Sequence, residues 1–291
     1  MTQPQMSAAG ARSLDRSVQE NPKLDSRHGV GLGVMEPLSE AQVIQNLRQT
    51  EDPSAQYYAA WWLGKMRSQH PDAIPLLLKA LEALNDTPID PERRGIALNA
   101  IRALALLRDA RAEERLLLLL RSNDYAVREE VVRTLGAMGS RGAVEGIRAL
   151  LASGLEGAGQ EQTSSPLLNE PCEALLEALG DIGDASSSNL AVVQPFTKHP
   201  RPLIRSAACR ALLQLTALDH WGVELKKLLN HPEPLVRRGA LLDLGATGWI
   251  GAIPSIRSAA VEPSLKLVAL RELAEHNDDP DEVLDAMDGL L

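Results

Sequence analysis

Apolar residues along this chain fall in a phrase of ten positions that returns several times. Residues 127–136 show it clearly, with Val131, Val132 and Leu135 set at i, i+1 and i+4. It returns at 204–213 and 236–245, and in weaker copies that begin at Gln56, Ala97, Cys172 and Lys266. This spacing puts the apolar side chains on one helical stripe. A second apolar stretch follows each phrase, at 74–84, 116–120, 144–151, 190–196, 223–229 and 253–260. Arg205 and Arg237 are 32 residues apart. A period near 30 with two apolar stretches means one helix pair per repeat. The pattern predicts an all-α chain, a right-handed α-solenoid of HEAT-like repeats with about six to seven helix pairs.

Breakers sit where the turns should be. His70-Pro71 lies within a repeat, and His199-Pro200 and His231-Pro232 lie between repeats. These histidines read as turn residues. Residues 85–93 lengthen one junction, and residues 153–170, rich in Gly, Ser, Gln and Glu, form the longest loop. A loop of that length in a repeat array is usually functional or disordered. The final helices, near 265–276 and 282–290, are expected to cap the array. Ser39-Glu40-Ala41-Gln42 has capping-box spacing ahead of Val43, Ile44 and Leu47, so order is expected to begin there. Residues 1–37 are polar, without apolar period, and read as a disordered extension. The solenoid is then a single unit over residues 38–291.

Composition narrows the class. Of the 291 residues, 44% are hydrophobic, enough for a continuous core, and the net charge is −9. An acidic chain argues against nucleic-acid binding, which needs dense positive charge. No apolar run approaches the ~20 residues that span a bilayer, and no apolar signal core is seen near the start. Membrane insertion is not expected and a cytoplasmic location is. Cys172 and Cys209 lie in separate repeats without a Cys-x-x-Cys or Cys/His cluster, so neither disulfide nor zinc is indicated. Cys209 falls in register with Val132 and Leu241 and reads as a buried small hydrophobe.

The candidate chemistry lies in the aromatics. The chain holds four tryptophans, three tyrosines and one phenylalanine. Half of them stand together as Tyr57, Tyr58, Trp61 and Trp62. Ala59, Ala60 and Leu63 match the core stripe Val131, Val132 and Leu135, so Tyr57 takes the position of Glu129, Glu173, Ser206 and Arg238. Trp61 takes that of Arg133, Glu177, Arg210 and Arg271. Those positions are mainly polar, so Tyr57 and Trp61 are expected to face solvent on one helical face. Tyr58 and Trp62 are expected to tuck against a neighbour. An exposed apolar patch of this kind marks a binding surface, unless the helix at 39–50 covers it as a cap. The arginines near the start of the phrases, Arg128, Arg205 and Arg237, read first as a structural ladder between repeats. Arg93, Arg94, Arg128 and Arg133 flank the aromatic repeat and are possible partners for an anionic ligand.

The segment Tyr57-Tyr58-Ala59-Ala60-Trp61-Trp62-Leu63-Gly64-Lys65-Met66-Arg67, with Pro37–Gln42 and Gln49–Pro53 before it, resembles the E-type subunits of the cyanobacterial heterodimeric phycocyanobilin lyases that modify the phycocyanin α-subunit. The Val-Arg…Ala-Leu…Leu-Gly phrase also resembles the HEAT-like repeat of phycobilisome lyases, though many unrelated scaffolds carry it. The resemblance covers residues 36–290. It implies an F-type partner subunit, an open-chain tetrapyrrole (phycocyanobilin) as bound substrate rather than permanent cofactor, and apo-phycocyanin α-subunit as acceptor. A cysteine of the acceptor would add to the ethylidene group of ring A and form a thioether. Stacking would suit Tyr57 and Trp61, the pigment's propionates would suit arginine, and its pyrrole N–H groups would suit a carboxylate such as Glu129. Two other readings stand beside this one: a non-enzymatic interaction scaffold, and a lyase for a different bilin or phycobiliprotein.

Overall fold

A computed structural model describes residues 38–290, and the expectation for residues 1–37 falls outside them. The described chain is helical, with one isolated antiparallel bridge, Glu161 to Leu168. Helix α1 (Glu40–Arg48) leads. The recurring phrase forms α2 (Pro53–Lys65), α4 (Pro91–Leu107), α6 (Tyr125–Ala137), α8 (Cys172–Ile182), α10 (Pro202–Thr216), α12 (Pro234–Ala246) and α14 (Pro263–Glu275). Their partners are α3 (Ala73–Ala80), α5 (Glu113–Leu119), α7 (Val144–Leu151), α9 (Ser187–Val193), α11 (Asp219–Leu228), α13 (Ile253–Ser258) and α15 (Asp281–Asp288). Seven helix pairs thus follow α1, an α-solenoid of HEAT-like repeats in which each pair packs on the next. No helix among the described residues is long and apolar enough to cross a membrane.

Local chemistry sets where the phrase helices begin. Ser39 caps α1 with its hydroxyl on the Gln42 N–H, and the Gln42 side chain returns to the Ser39 N–H at 2.8 Å. Asp52, Asp90 and Asp124 cap α2, α4 and α6. Proline stands in the first turn of α2, α4, α10, α12 and α14, where its missing N–H costs nothing. The His-Pro turns use one device three times. The ring Nδ1 of His70, His199 and His231 accepts the backbone N–H two residues on, from Asp72, Arg201 and Glu233. The arginine that opens the phrase then holds the same turn. Arg128, Arg205 and Arg237 donate to the carbonyls of Ser122, His199 and His231, each six residues back. Arg128 also reaches Asn169 O and Glu170, and Arg237 reaches Ala260 O, so two of them tie one repeat to the next.

Phrase helices approach one another closely because the contact side is nearly bare. A Cβ placed on Gly64 would lie 2.6 Å from Ala103 Cα, and one on Gly136 would lie 2.9 Å from Ala178 Cα. Gly180 meets Ala211 in the same way. The leucines beside these glycines, Leu63, Leu135 and Leu179, are buried and fill the core between the two helix layers. Burial of each contributes about 1.5–3 kcal/mol.

The long loop at 153–170 is closed on itself and fastened at several points. Asn169 N–H donates to Gln160 O, and the Asn169 amide donates to Gly157 O at 2.8 Å. His199 Nε2 donates to Gly159 O at 2.8 Å, a role fixed by its Nδ1 accepting from Arg201. Arg201 holds Glu161 at 2.6 Å, and Ala158 and Leu168 are buried in the core.

Candidate binding ridge

Helix α2 presents its aromatics through the register that packs its core. Ala59, Ala60 and Leu63 are fully buried, which turns Tyr57 and Trp61 outward, each 47% exposed. Helix α1 does not seal them. The Tyr57 ring lies along α4, beside Gly95, where a Cβ would sit 3.8 Å from the ring. Asn99 Nδ2, buried on α4, donates to Tyr57 O at 3.2 Å and fixes the backbone beneath the ring.

Tyr58 departs from the expectation that it tucks against a neighbour. It is 44% exposed and pairs with Trp61, ring centroids 5.4 Å apart and planes tilted by 37°. The reason lies in the array. Tyr58 takes the register position of Asn99 and Ala174, which face the preceding phrase helix, and no phrase helix precedes α2 among the described residues. Trp62 stands in the position of Ala103, Ala178 and Ala211, the residues that meet the bare glycines. With no glycine ahead of it, that position holds an indole, half-buried against the core.

The same register continues as a charged ridge. Arg102 on α4 occupies the Trp61 position one repeat on, and it feels both Tyr57 and Glu129 electrostatically. Its Nε donates to Glu130 Oε1 at 2.9 Å, and that bond is the main reason its charge is held more firmly than usual. Arg133 follows on α6, between Glu129 at 3.4 Å and Glu177 of α8. Burial opposes the Arg133 charge, but Glu177, Glu173 and Glu129 outweigh it. Arg102 and Asn99 were not singled out from sequence. The signal was present, since both fall in the weak copy that begins at Ala97.

The other flanking arginines point elsewhere. Arg94 is bound to Asp124, the cap of α6, through Nη2 at 2.8 Å as well as Nε. Arg93 holds Asp86 at 2.7 Å. Arg128 is nearly buried, spends its guanidinium on Ser122 O, Asn169 O and Glu170, and lies 5.8 Å from the Tyr125 ring centroid. The ridge therefore gathers Tyr57, Tyr58, Trp61, Arg102, Glu129 and Arg133, and leaves Arg93, Arg94 and Arg128 to turns and junctions.

The two cysteines lie outside the ridge, in surroundings that disfavour the thiolate a nucleophile needs. Cys172 and Cys209 are buried, and burial pushes both thiols up to about 12. The ridge offers an aromatic surface, cations and carboxylates. It can hold and orient a planar, conjugated, partly charged molecule.

Comparison with known proteins gives the family. Residues 55–83 match the PBS lyase HEAT-like repeat, and residues 89–158 match HEAT repeats. The chain is 60% identical over 255 residues to the bilin biosynthesis protein RpcE of Synechococcus sp. (strain WH8020), covering 88% of this chain and 96% of that protein. It is 42% identical over 253 residues to the phycocyanobilin lyase subunit alpha of Picosynechococcus sp. (strain PCC 7002), covering 86% and 91% respectively. A chain in the solved complex of CpcE and CpcF of phycocyanin lyase from Nostoc sp. PCC7120 superposes with a TM-score of 0.78 at 36% identity, over 93% of this chain and all of that one.

Proposed function

This chain belongs to the family of phycocyanobilin lyase alpha subunits, and from that membership we propose that it binds phycocyanobilin and presents it to the phycocyanin α-subunit, working with an F-type partner. It is a subunit of a bilin lyase. The acceptor's cysteine supplies the sulfur. Its thiolate adds to the ethylidene group of ring A, a C–S bond forms as the C=C bond is consumed, and the thiol proton ends on the pigment. The lyase contributes position and shelter from water.

One observation carries the site assignment: aromatic rings stand exposed at positions where later repeats place charges. In this reading the tetrapyrrole stacks on Tyr57 and the Tyr58–Trp61 pair, each contact adding about 0.5–1.5 kcal/mol beyond burial. Arg102 faces a propionate, with Arg133 next along the ridge. Glu129 accepts from pyrrole N–H groups. The buried, unreactive thiols of Cys172 and Cys209 support a nucleophile that comes from the acceptor.

The test is co-expression with the F-type subunit, a bilin source and the acceptor. Covalent pigment on the acceptor in a denaturing gel is expected. The Tyr57→Ala, Trp61→Ala double variant is expected to lose at least tenfold in transfer at unchanged helicity, by the loss of two stacking contacts. Wild-type transfer by that folded variant removes the ridge from the reaction. Partner binding with no pigment transfer in any combination leaves an interaction scaffold.

A further inference from the structure

A half-open cavity of about 380 Å³ lies on another face of α2, lined by α1, α2, α3, the turn at 81–85 and α4. Its size falls within the range of about 300–1,000 Å³ typical of small-molecule sites. Pro53 and Gln56 of α2 line it, whereas Tyr57 does not; Arg93 and Ile96 of α4 line it, whereas Gly95, Asn99 and Arg102 attend the aromatic ridge. The site therefore stands whether or not the ridge carries a pigment.

The lining divides by polarity. Leu47, Leu76, Ala83 and Ile96 give an apolar floor, and Arg48, Lys79 and Arg93 give a basic rim. Two carboxylates share the rim, Glu82 and Asp90. Asp90 is already spent, since its side chain accepts the Arg93 N–H at 2.9 Å to cap α4. Arg48 holds Asp72 and Arg93 holds Asp86 outside the cavity, both as exposed pairs. Exposed pairs of this kind contribute little, and a second carboxylate can share the cation. Lys79 has no ion-pair partner among the described residues. An apolar floor below the unpaired Lys79 ammonium, with Arg93 beside it, suits a molecule with an alkyl chain and one carboxylate at its end.

We propose that this cavity is a binding site for an alkyl carboxylate, with its chain on Leu76 and Ile96 and its carboxylate at Lys79 and Arg93. Two sources offer that chemistry: a propionate arm of a tetrapyrrole and a free short-chain acid. Titration calorimetry of the full chain with hexanoate tests the site, with hexylamine as the control of opposite charge. Saturable hexanoate binding is expected, without hexylamine binding. Lys79→Glu is expected to weaken it by about tenfold or more, the effect of losing one charge-assisted contact. Ala83→Leu, which fills the floor, is expected to block it, with helicity of both variants checked by circular dichroism. Displacement of hexanoate by phycocyanobilin identifies a propionate as the occupant; absence of displacement identifies a separate small acid. Absent hexanoate binding, equal binding of hexylamine, or unchanged binding in both folded variants overturns the site.

Discussion

Gly64 and Trp62 show how a side chain's size is set by what stands next to it. Gly64 has Ala103 against its Cα, so any Cβ there must move the neighbouring helix. Gly64→Ala is expected to destabilise by about 1–3 kcal/mol through overpacking, although alanine favours a helix. Urea unfolding of the variant checks this, and a stability equal to or above the wild type would remove the close contact from the account. Trp62 holds the complementary position on the first phrase helix, half-buried against the core but with no glycine of a preceding phrase helix facing it. The sequence register correctly turned Tyr57 and Trp61 outward, because their neighbours Ala59, Ala60 and Leu63 repeat a core stripe seen elsewhere. It misjudged Tyr58, because a register states which way a side chain faces and not whether a neighbour is there to meet it. Arg94 and Arg128 were ambiguous for a related reason: their partners, Asp124 and Glu170, lie 30 and 42 residues away and follow no local pattern.

At the scale of helices, one junction carries a buried carboxyl group. Between α10 and α12 the position that holds alanine in α4, α8 and α10 holds Asp243, which lies 3.5 Å from Arg210, and the apolar core divides into two clusters there. Arg210 also holds Asp181 at 2.7 Å, and Gln214 bridges Asp181 and Ala246 O. Burial pushes the Asp243 carboxyl up to about 7, with Arg210 opposing and Glu177 adding to the rise. A carboxyl whose folded value is raised favours the folded state while protonated. Its contribution is present at pH 4 and fades as the pH climbs toward 7. Asp243→Asn is expected to flatten that decline, read from denaturant midpoints at pH 5 and pH 8. An unchanged difference between the two midpoints would place the titrating group elsewhere. Nothing in the sequence foretold this seam, since Asp243 sits among apolar residues that obey the helical period.

The long loop is the other element whose character depended on distant partners. Its length left a functional or a disordered loop open, and His199 and Arg201, some 40 residues on, pin Gly159 and Glu161. Removing those pins by His199→Ala with Arg201→Ala is expected to raise the rate of limited proteolysis within 153–170 by about tenfold, the loss of one or two hydrogen bonds from local stability. Cleavage at the wild-type rate would mean that the loop's own bonds suffice.

At the scale of the whole molecule, the succession of helix pairs was legible because a solenoid repeats one local solution, and local solutions are what a sequence displays. Chemistry was legible only as an exception to the repeat, as at the aromatic cluster. The chain is expected to work without its own thiols. Cys172→Ala with Cys209→Ala leaves the ridge untouched and is expected to transfer pigment at the wild-type rate in the co-expression assay. A tenfold loss at normal stability would bring a cysteine of this chain into the reaction.

The indole at position 62 also decides how such an array can change length. A duplicated repeat inserted between α4 and α6, or between α8 and α10, meets residues already shaped to receive a neighbour. Placed ahead of α2, the same insertion meets a bulky ring where its bare flank needs a methyl group. Growth is open in the interior of this chain and closed at its front, so the end that carries the aromatic ridge stays an end.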